Sequence, residues 1–302
     1  MKKKNFASFV LVIMAVFLSV YIAPMAAFSV SDDDTINLEE SYSDSNYFSS
    51  WSYDSNENAF SIIGDVTIKG TVKNATTTLR FNIAPHITVK WVADYSFSRA
   101  NASPRNISAI DIFDGGSFEV VSGSISSDDG ITIYSKSSTV IVSGGSVSSE
   151  QGVAISNNDG GPLIISGGSV SSDNGNAISN TSTTTLVSGG STLIWGNIYG
   201  NFTIAEGAIL NVPAEKPPLN TMLGRFTNYG TINNFGTINH NTVLVNKLSG
   251  TINNFGVINE GIIRNEGKIN TVENGFTRRG RLINDFSVIN NTGGAVEIVM
   301  QP

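Results

Sequence analysis

Cysteine is absent from all 302 residues, so disulfides and thiol chemistry are closed to this chain and rigidity must come from packing and backbone hydrogen bonds. Histidine occurs only at His86 and His240, each without a partner at the spacing of a metal site or catalytic triad. His240 simply takes an asparagine place in the hexad INHN. Charge is scarce too. Charged residues make up 14 % of the chain, and 18 Lys and Arg face 25 Asp and Glu. That balance excludes the basic footprint of a nucleic-acid or anionic-membrane binder. Beyond the N-terminal segment, no stretch carries the i, i+3, i+4 apolar spacing of a helix.

What the chain has instead is repetition. Four copies of one phrase run from Glu119 to Ile194: EVVSGSISSDDGITI, VIVSGGSVSSEQGVAIS, LIISGGSVSSDNGNAIS and a decaying LVSGGSTLI. Their serines Ser122, Ser143, Ser166 and Ser188 step by 21, 23 and 22 residues, a period that predicts a solenoid of stacked coils. Each copy holds three short β-type runs, such as VIV, SVS and VAIS, separated by Gly-Gly or by Ser-Ser-acid-x-Gly. β-branched residues alternating with Ser fit half-buried strands, and glycine supplies the positive φ that corners need. Three strands and three corners predict a triangular coil rising about 4.8 Å per turn. Equal phase then predicts three inward columns: Val121, Val142, Ile165 and Val187; Ile125, Val147 and Val170; and Ile133, Ile155 and Ile178.

The remaining segments follow in order. Residues 1–27 pair a basic Lys2–Lys3–Lys4 start with an apolar run, Phe9 to Ile22, followed by Ala23, Ala26 and Ala27. This is the pattern of a cleavable secretory signal, with an uncleaved anchor as the competing reading. Its removal takes the net charge from −7 to −10 and leaves no membrane segment. Residues 28–58 are rich in Ser, Asp and Asn and read as a spacer or as an N-terminal cap, in which Tyr47, Phe48 and Trp51 could cover the first coil. The strand pattern of a parallel β-helix spans 59–212, and Pro213, Pro217 and Pro218 mark a boundary over 213–222. From 223 to 302 the vocabulary changes to Asn and Gly. GTINNFG recurs at 230–236 and 250–256, Ile283 to Asn290 forms a worn third copy, and hexads pair Ile232 with Ile238, Ile252 with Ile258 and Ile263 with Ile269. We read this as further β-solenoid with smaller coils, either continuing the first stack or forming a second domain. Its 11 asparagines between Asn228 and Asn270 predict amide ladders of the kind that support cross-β assembly.

The phrase SGGSVSSxxGxAIS and the preceding HITVKWVADYSF resemble repeats of secreted surface proteins of the right-handed, pectin lyase-like β-helix type. The INN hexads resemble low-complexity repeats of exported proteins. The resemblance implies an all-β, right-handed parallel β-helix of about 22 residues per coil and an exported location. Chemistry is another matter, because such a fold hosts lyases, hydrolases, adhesins and inert stalks alike.

Several residue sets are candidates for chemistry. Asp128, Glu150 and Asp173 hold one place in three successive repeats. Stacked about 5 Å apart, their carboxylates could be bridged by Ca²⁺, or they are simply solvated turn residues. No other cofactor is implied. Lyases that this fold resembles need clustered carboxylates and an Arg or Lys base, yet between Asn106 and Glu215 the only basic side chain is Lys136. Asp111 and Asp114, beside Arg99 and Arg105, are the nearest approach to a hydrolase or lyase pair. Arg278, Arg279 and Arg281 form the one basic cluster, and Thr231, Thr237 and Thr251 could form a short flat array. Asn74, Asn101, Asn106, Asn180, Asn201 and Asn290 head Asn-x-Ser/Thr acceptors for glycosylation. The reading that unites these features is a secreted, non-catalytic cell-surface column, structural or adhesin-like. Its partners would be glycans or like copies of itself, and it could assemble into a sheath, fibre or surface layer. An extracellular polysaccharide lyase or glycoside hydrolase is the alternative.

Overall fold

A computed structural model describes residues 34–42, 48–99, 107–159, 161–259 and 262–271, and the backbone of 281–284, 288–291 and 298–299. The expected secretory segment, 1–27, lies outside the described residues. Every described element is a β-strand or a short turn, apart from one residue of 3-10 type at Asp34, and the strands join one hydrogen-bonded parallel β-solenoid. No described element is an α-helix.

Each coil lays down three strands, and strands from successive coils stack in register to make three walls. Wall A contains Thr88–Trp91, Ser117–Val120, Thr139–Val142 and Leu163–Ile165. Wall B contains Asp94–Phe97, Ser124–Ser127 and Ser146–Ser149, followed by the start of Ser169–Val187. Wall C contains Leu79–Ile83, Ser108–Phe113, Ile131–Ser135 and Val153–Ser156. Alternation does the rest. In Ser124–Ser127 the pattern alternates half-buried and buried, so Ile125 points inward while Ser124 and Ser126 face out.

The predicted inward columns are present, with one correction. Ile125, Val147 and Val170 pair in register, as do Ile133, Ile155 and Ile178. Val142, Ile165 and Val187 also pair, but their upper neighbour is Val120, and Val121 is 37 % exposed on the surface. Register at this corner follows the left-handed glycine. Gly123, Gly145, Gly168 and Gly190 have φ of 72, 62, 68 and 60°, a region open to glycine at little cost. The first copy has one glycine where the others have two, so matching its serine to theirs shifts the frame by one residue, and each one-residue shift turns a side chain to the other face.

The solenoid also begins earlier than its regular repeats. Thr35–Asn37 pairs with Val66–Lys69 as the first strand of wall A, so part of the 28–58 segment is already stack. Trp51–Asp54 and Ala59–Ile62 form the antiparallel hairpin that opens wall C. Phe48 stacks on Trp51 at 4.3 Å, Tyr42 meets Trp51 edge-on at 5.2 Å, and Phe60 continues the cluster onto Phe81 at 5.6 Å. Phe48 and Trp51 thus pack together at this end of the stack, and Tyr47 lies outside the described residues.

The prolines do not interrupt the ladders. Ile209–Val212 pairs with Thr231–Asn234 across them, and Leu219–Leu223 is itself a strand of wall C. The ring-closed residues are confined to the corner, where no ladder donor is needed. The Asn-rich block therefore continues the same stack, with tighter coils. Asn228 pairs with Asn246 and Asn246 with Asn265, steps of 18 and 19 residues. A hexad is the length of one wall: Ile232 lies on wall B and Ile238 on wall C, both fully buried. The worn third copy is accordingly one wall out of phase with the phrase it resembles. Asn284 continues the Asn265 column on wall A, whereas Val288–Asn291 pairs with Lys268–Thr271 on wall B.

Candidate functional site

Two kinds of surface follow from this architecture. The first is amide ladders in the C-terminal coils. On the outside of wall C, Asn197, Asn220, Asn239 and Asn259 each donate from Nδ2 to the Oδ1 of the asparagine one coil earlier, over 2.7–3.2 Å. On the outside of wall B, Asn233, Asn253 and Asn270 do the same over 2.7–2.9 Å. Two further ladders are buried at the corners. Asn228 donates to Asn246 and Asn246 to Asn265, each at 2.7 Å, and Asn234 donates to Asn254 at 2.7 Å. Each buried ladder replaces an aliphatic column: Ile204 precedes Asn228 and Val212 precedes Asn234. The Oδ1 atoms of Asn228 and Asn234 consequently find no donor, since the neighbour above is a hydrocarbon. His240 stands at the same inner corner position on wall C, next to Thr221. It is 1 % exposed, neither ring nitrogen makes a hydrogen bond of normal geometry, and burial pushes its pKa down to about 4.

The second surface is a groove of about 620 Å³ along the outside of wall B. Its floor is hydroxyl-lined, because Ser96, Ser126 and Ser148 stack in one outward column, with the buried Ser171 at its end, and Ser146 and Ser169 stack in the next. One rim carries Asp128, Glu150 and Asp173. Asn74 and Ser98 line one end, and Trp195 and Lys216 the other. Trp195 occupies the outward column directly after Ser171. Its indole Nε1 donates to Asp173 Oδ1 at 2.8 Å, and Lys216 Nζ lies over the ring 5.1 Å from its centroid.

The acidic residues do occupy one place in successive coils, as their spacing predicts, but the carboxylates of Asp128 and Asp173 are engaged by different partners. Asp128 accepts from Arg99 N at 2.9 Å, Ser98 Oγ at 2.8 Å and Asp129 N at 2.8 Å. Partial burial pulls its pKa up, and these donors outweigh it to hold the carboxyl below its ordinary value. Asp173 is engaged by Trp195. Among the described residues no three Asp, Glu or His side chains come together to hold a metal ion. A calcium ladder through Asp128, Glu150 and Asp173 thus lacks the convergent geometry it needs.

Asp111 and Asp114 are not brought into this groove. Asp111 is a buried residue of wall C, bonded to Ser108 Oγ and 3.5 Å from Arg80 Nε, and burial raises its pKa against both of those contacts. Asp114 sits in the following turn with φ at 75°. Arg99 pairs with Asp129 at 2.8 Å, and Arg105 lies outside the described residues. Lys136 follows the wall C strand Ile131–Ser135, away from the wall B floor. His86 is exposed in a turn with φ at 69°. Arg278 and Arg279, and the side chain of Arg281, lie outside the described residues. Thr231 and Thr251 stack on wall B but Thr237 is on wall C, so the three form no single array.

The glycosylation acceptors separate by exposure. Asn74 and Asn201 are exposed, the former with φ at 55°. Asn180 is fully buried, donating to Thr185 Oγ1 at 3.1 Å and accepting from Thr183 Oγ1 at 3.0 Å, which closes it to modification in the folded chain. Asn101 and Asn106 lie outside the described residues, as does the side chain of Asn290. Sequence reasoning passed over Trp195 and Lys216. Aligned on its glycines, STLIWG sets Leu193 where earlier copies set serine and Trp195 where they set Glu150 and Asp173; the stack slips by two residues here, which brings Trp195 behind Ser171 and hides it from the repeat.

No protein-family model, no curated protein and no solved structure matches this chain. Function has to be argued from the two surfaces themselves.

Proposed function

We propose that the chain is an exported, non-catalytic surface column that binds glycans along the serine-lined face of wall B. The supporting observation is the groove: a repeated hydroxyl floor with carboxylates along one rim and an indole at one end. Hydroxyls and carboxylates exchange hydrogen bonds with sugar hydroxyls, and an aromatic ring packs against the apolar face of a pyranose. A base of the kind a lyase requires is not offered by this floor, since its one ammonium, Lys216, is held over the Trp195 ring. The pectin lyase-like resemblance enters this proposal as a source of scaffold, and its chemistry does not. Incubating the full chain with insoluble neutral polysaccharides and with soluble uronate polymers tests the reading. Retention on neutral polymers without new reducing ends or unsaturated products is the expected result. Turnover of any of these polymers, or retention on none, refutes it.

A second reading, self-assembly into a fibre or layer, is favoured by the outer Asn ladders. Each ladder amide uses one donor and one lone pair along its own stack, which leaves one of each per coil for a neighbouring copy. Particles far larger than a monomer in light scattering, with cross-β diffraction, would support it, and a strictly monomeric column would count against it.

A further inference from the structure

We propose that Trp195 is a sugar-stacking platform that ends the groove, so that the site takes the terminal segment of an unbranched neutral glycan with one pyranose per coil. The inference rests on the glycan-binding reading above and names its ligand class and its end-point.

The column itself makes the case. Ser96, Ser126, Ser148 and Ser171 are small and in register, and the next position is an indole. Nothing in the packing demands that change, because the residue faces outward and the inward partner, Ile194, is fully buried like the column above it. The indole is nevertheless held in place from both sides. Asp173 in the coil before accepts its Nε1 proton, and Lys216 in the corner after it lies over the ring. A large aromatic fixed by partners but only half-buried is a preorganised contact surface. Lys216 lies over one ring face, and the partly exposed indole lines the end of the groove, where a ligand can reach it.

Length and charge narrow the ligand. Neighbouring strands lie about 4.8 Å apart, so Ser96 to Trp195 spans about 19 Å, close to the extended length of about four pyranose units at one per coil. The hydroxyls of Ser96, Ser126 and Ser148 can donate to or accept from a sugar at their steps, and Ser171, 3 % exposed, leaves the last step to the indole. Three rim carboxylates face a single ammonium, an arrangement that repels polyuronates and sulfated chains while leaving neutral ones unaffected. At Trp195 the floor rises to the height of a ring, which stops the chain there instead of letting it run along the column.

Trp195 also supplies the test. Of the three tryptophans, Trp51 and Trp91 are buried at 2 and 0 % exposure, so acrylamide quenching of the intact chain reports Trp195. Linear neutral oligosaccharides from disaccharide to hexasaccharide serve as probes, beside a tetragalacturonate and a Ser/Pro-rich peptide. Neutral chains should protect Trp195 from acrylamide, with affinity rising to about four units and flat beyond. Trp195→Ser, which restores the residue of the other coils, should weaken binding at least about tenfold while leaving the melting temperature unchanged, and Trp195→Phe should retain most of it. Ser148→Val should weaken binding of the longer probes selectively. Neutral glycans binding wild type and Trp195→Ser equally would overturn the platform and leave the broader reading intact. Binding to no neutral glycan would remove both. Preferential protection by the tetragalacturonate or by the peptide would overturn the ligand class.

Discussion

Identical amide ladders in different surroundings should contribute very differently to stability, and this chain contains both cases. Asn246, fully buried, accepts from Asn228 Nδ2 and donates to Asn265 Oδ1, both at 2.7 Å, and lies 3.2 Å from the carbonyls of Gly250 and Lys268. Asn253, on the outside of wall B, donates to Asn233 at 2.9 Å and accepts from Asn270 at 2.7 Å. Asn246→Ala removes two strong bonds where water cannot replace them, each costing about 1–3 kcal/mol, so the total is about 2–6 kcal/mol before any cavity is counted. Asn253→Ala breaks the same two bonds where both neighbours rehydrate, and costs about 1 kcal/mol or less. A readout that resolves single coils suits this comparison best, because neighbouring coils of a solenoid differ in local stability. Hydrogen exchange read by mass spectrometry over Val243–Asn246 and Thr251–Asn254 reports the local opening free energy directly. Protection should fall by about two to three orders of magnitude around Asn246→Ala and by less than about tenfold around Asn253→Ala. Equal losses would show that burial is not what gives the inner ladder its weight.

Three further outcomes follow from the same geometry. Gly145→Ala places a methyl 2.6 Å from Gly123 O at a φ of +62° and should cost about 2 kcal/mol or more, whereas Gly189→Ala, whose new methyl meets nothing within 4 Å, should be neutral; the shift in melting temperature separates them. His240 is held neutral in the folded chain with its pKa lowered from 6.5 to about 4, so the unfolded chain binds the proton more readily and stability is lost as pH falls from about 6.5 toward 4, by up to about 3 kcal/mol. Denaturant midpoints across that range should show the loss, and His240→Asn should flatten it; an unchanged slope in the variant would assign the pH dependence elsewhere. Millimolar calcium should leave the melting temperature where it is, because the three rim carboxylates do not converge, and a rise abolished by Glu150→Gln would overturn that account.

The fold was legible because its physics repeats. Columns such as Ile133, Ile155 and Ile178 announce themselves when like residues recur at one phase, and the Gly-bearing corners mark where each strand ends. Where a copy loses a residue, phase becomes ambiguous, and alignment on the serines points Val121 inward where the stack uses Val120. The proline segment misled for a related reason: proline forbids a ladder bond, but a corner needs none, so the stack passes through it unbroken. The groove was half legible. Its outward serines and its acidic rim are visible in the repeats. The capture of Asp128 by Ser98 and Arg99, and of Trp195 by Asp173 and Lys216, depends on contacts between coils about 20–30 residues apart, which no local pattern encodes. The aromatic contact of Phe48 with Trp51 was legible only as composition, since both stand in a stretch with almost no aliphatic alternation.

The central claim is that this column works outside the cell, attached to glycan through wall B. Immunogold labelling of intact native cells tests it most directly, with and without an excess of neutral polysaccharide extracted from the same envelope. The account predicts label on the outer surface that the polysaccharide displaces. Label confined to the cell interior, or surface label indifferent to the polysaccharide, would contradict it.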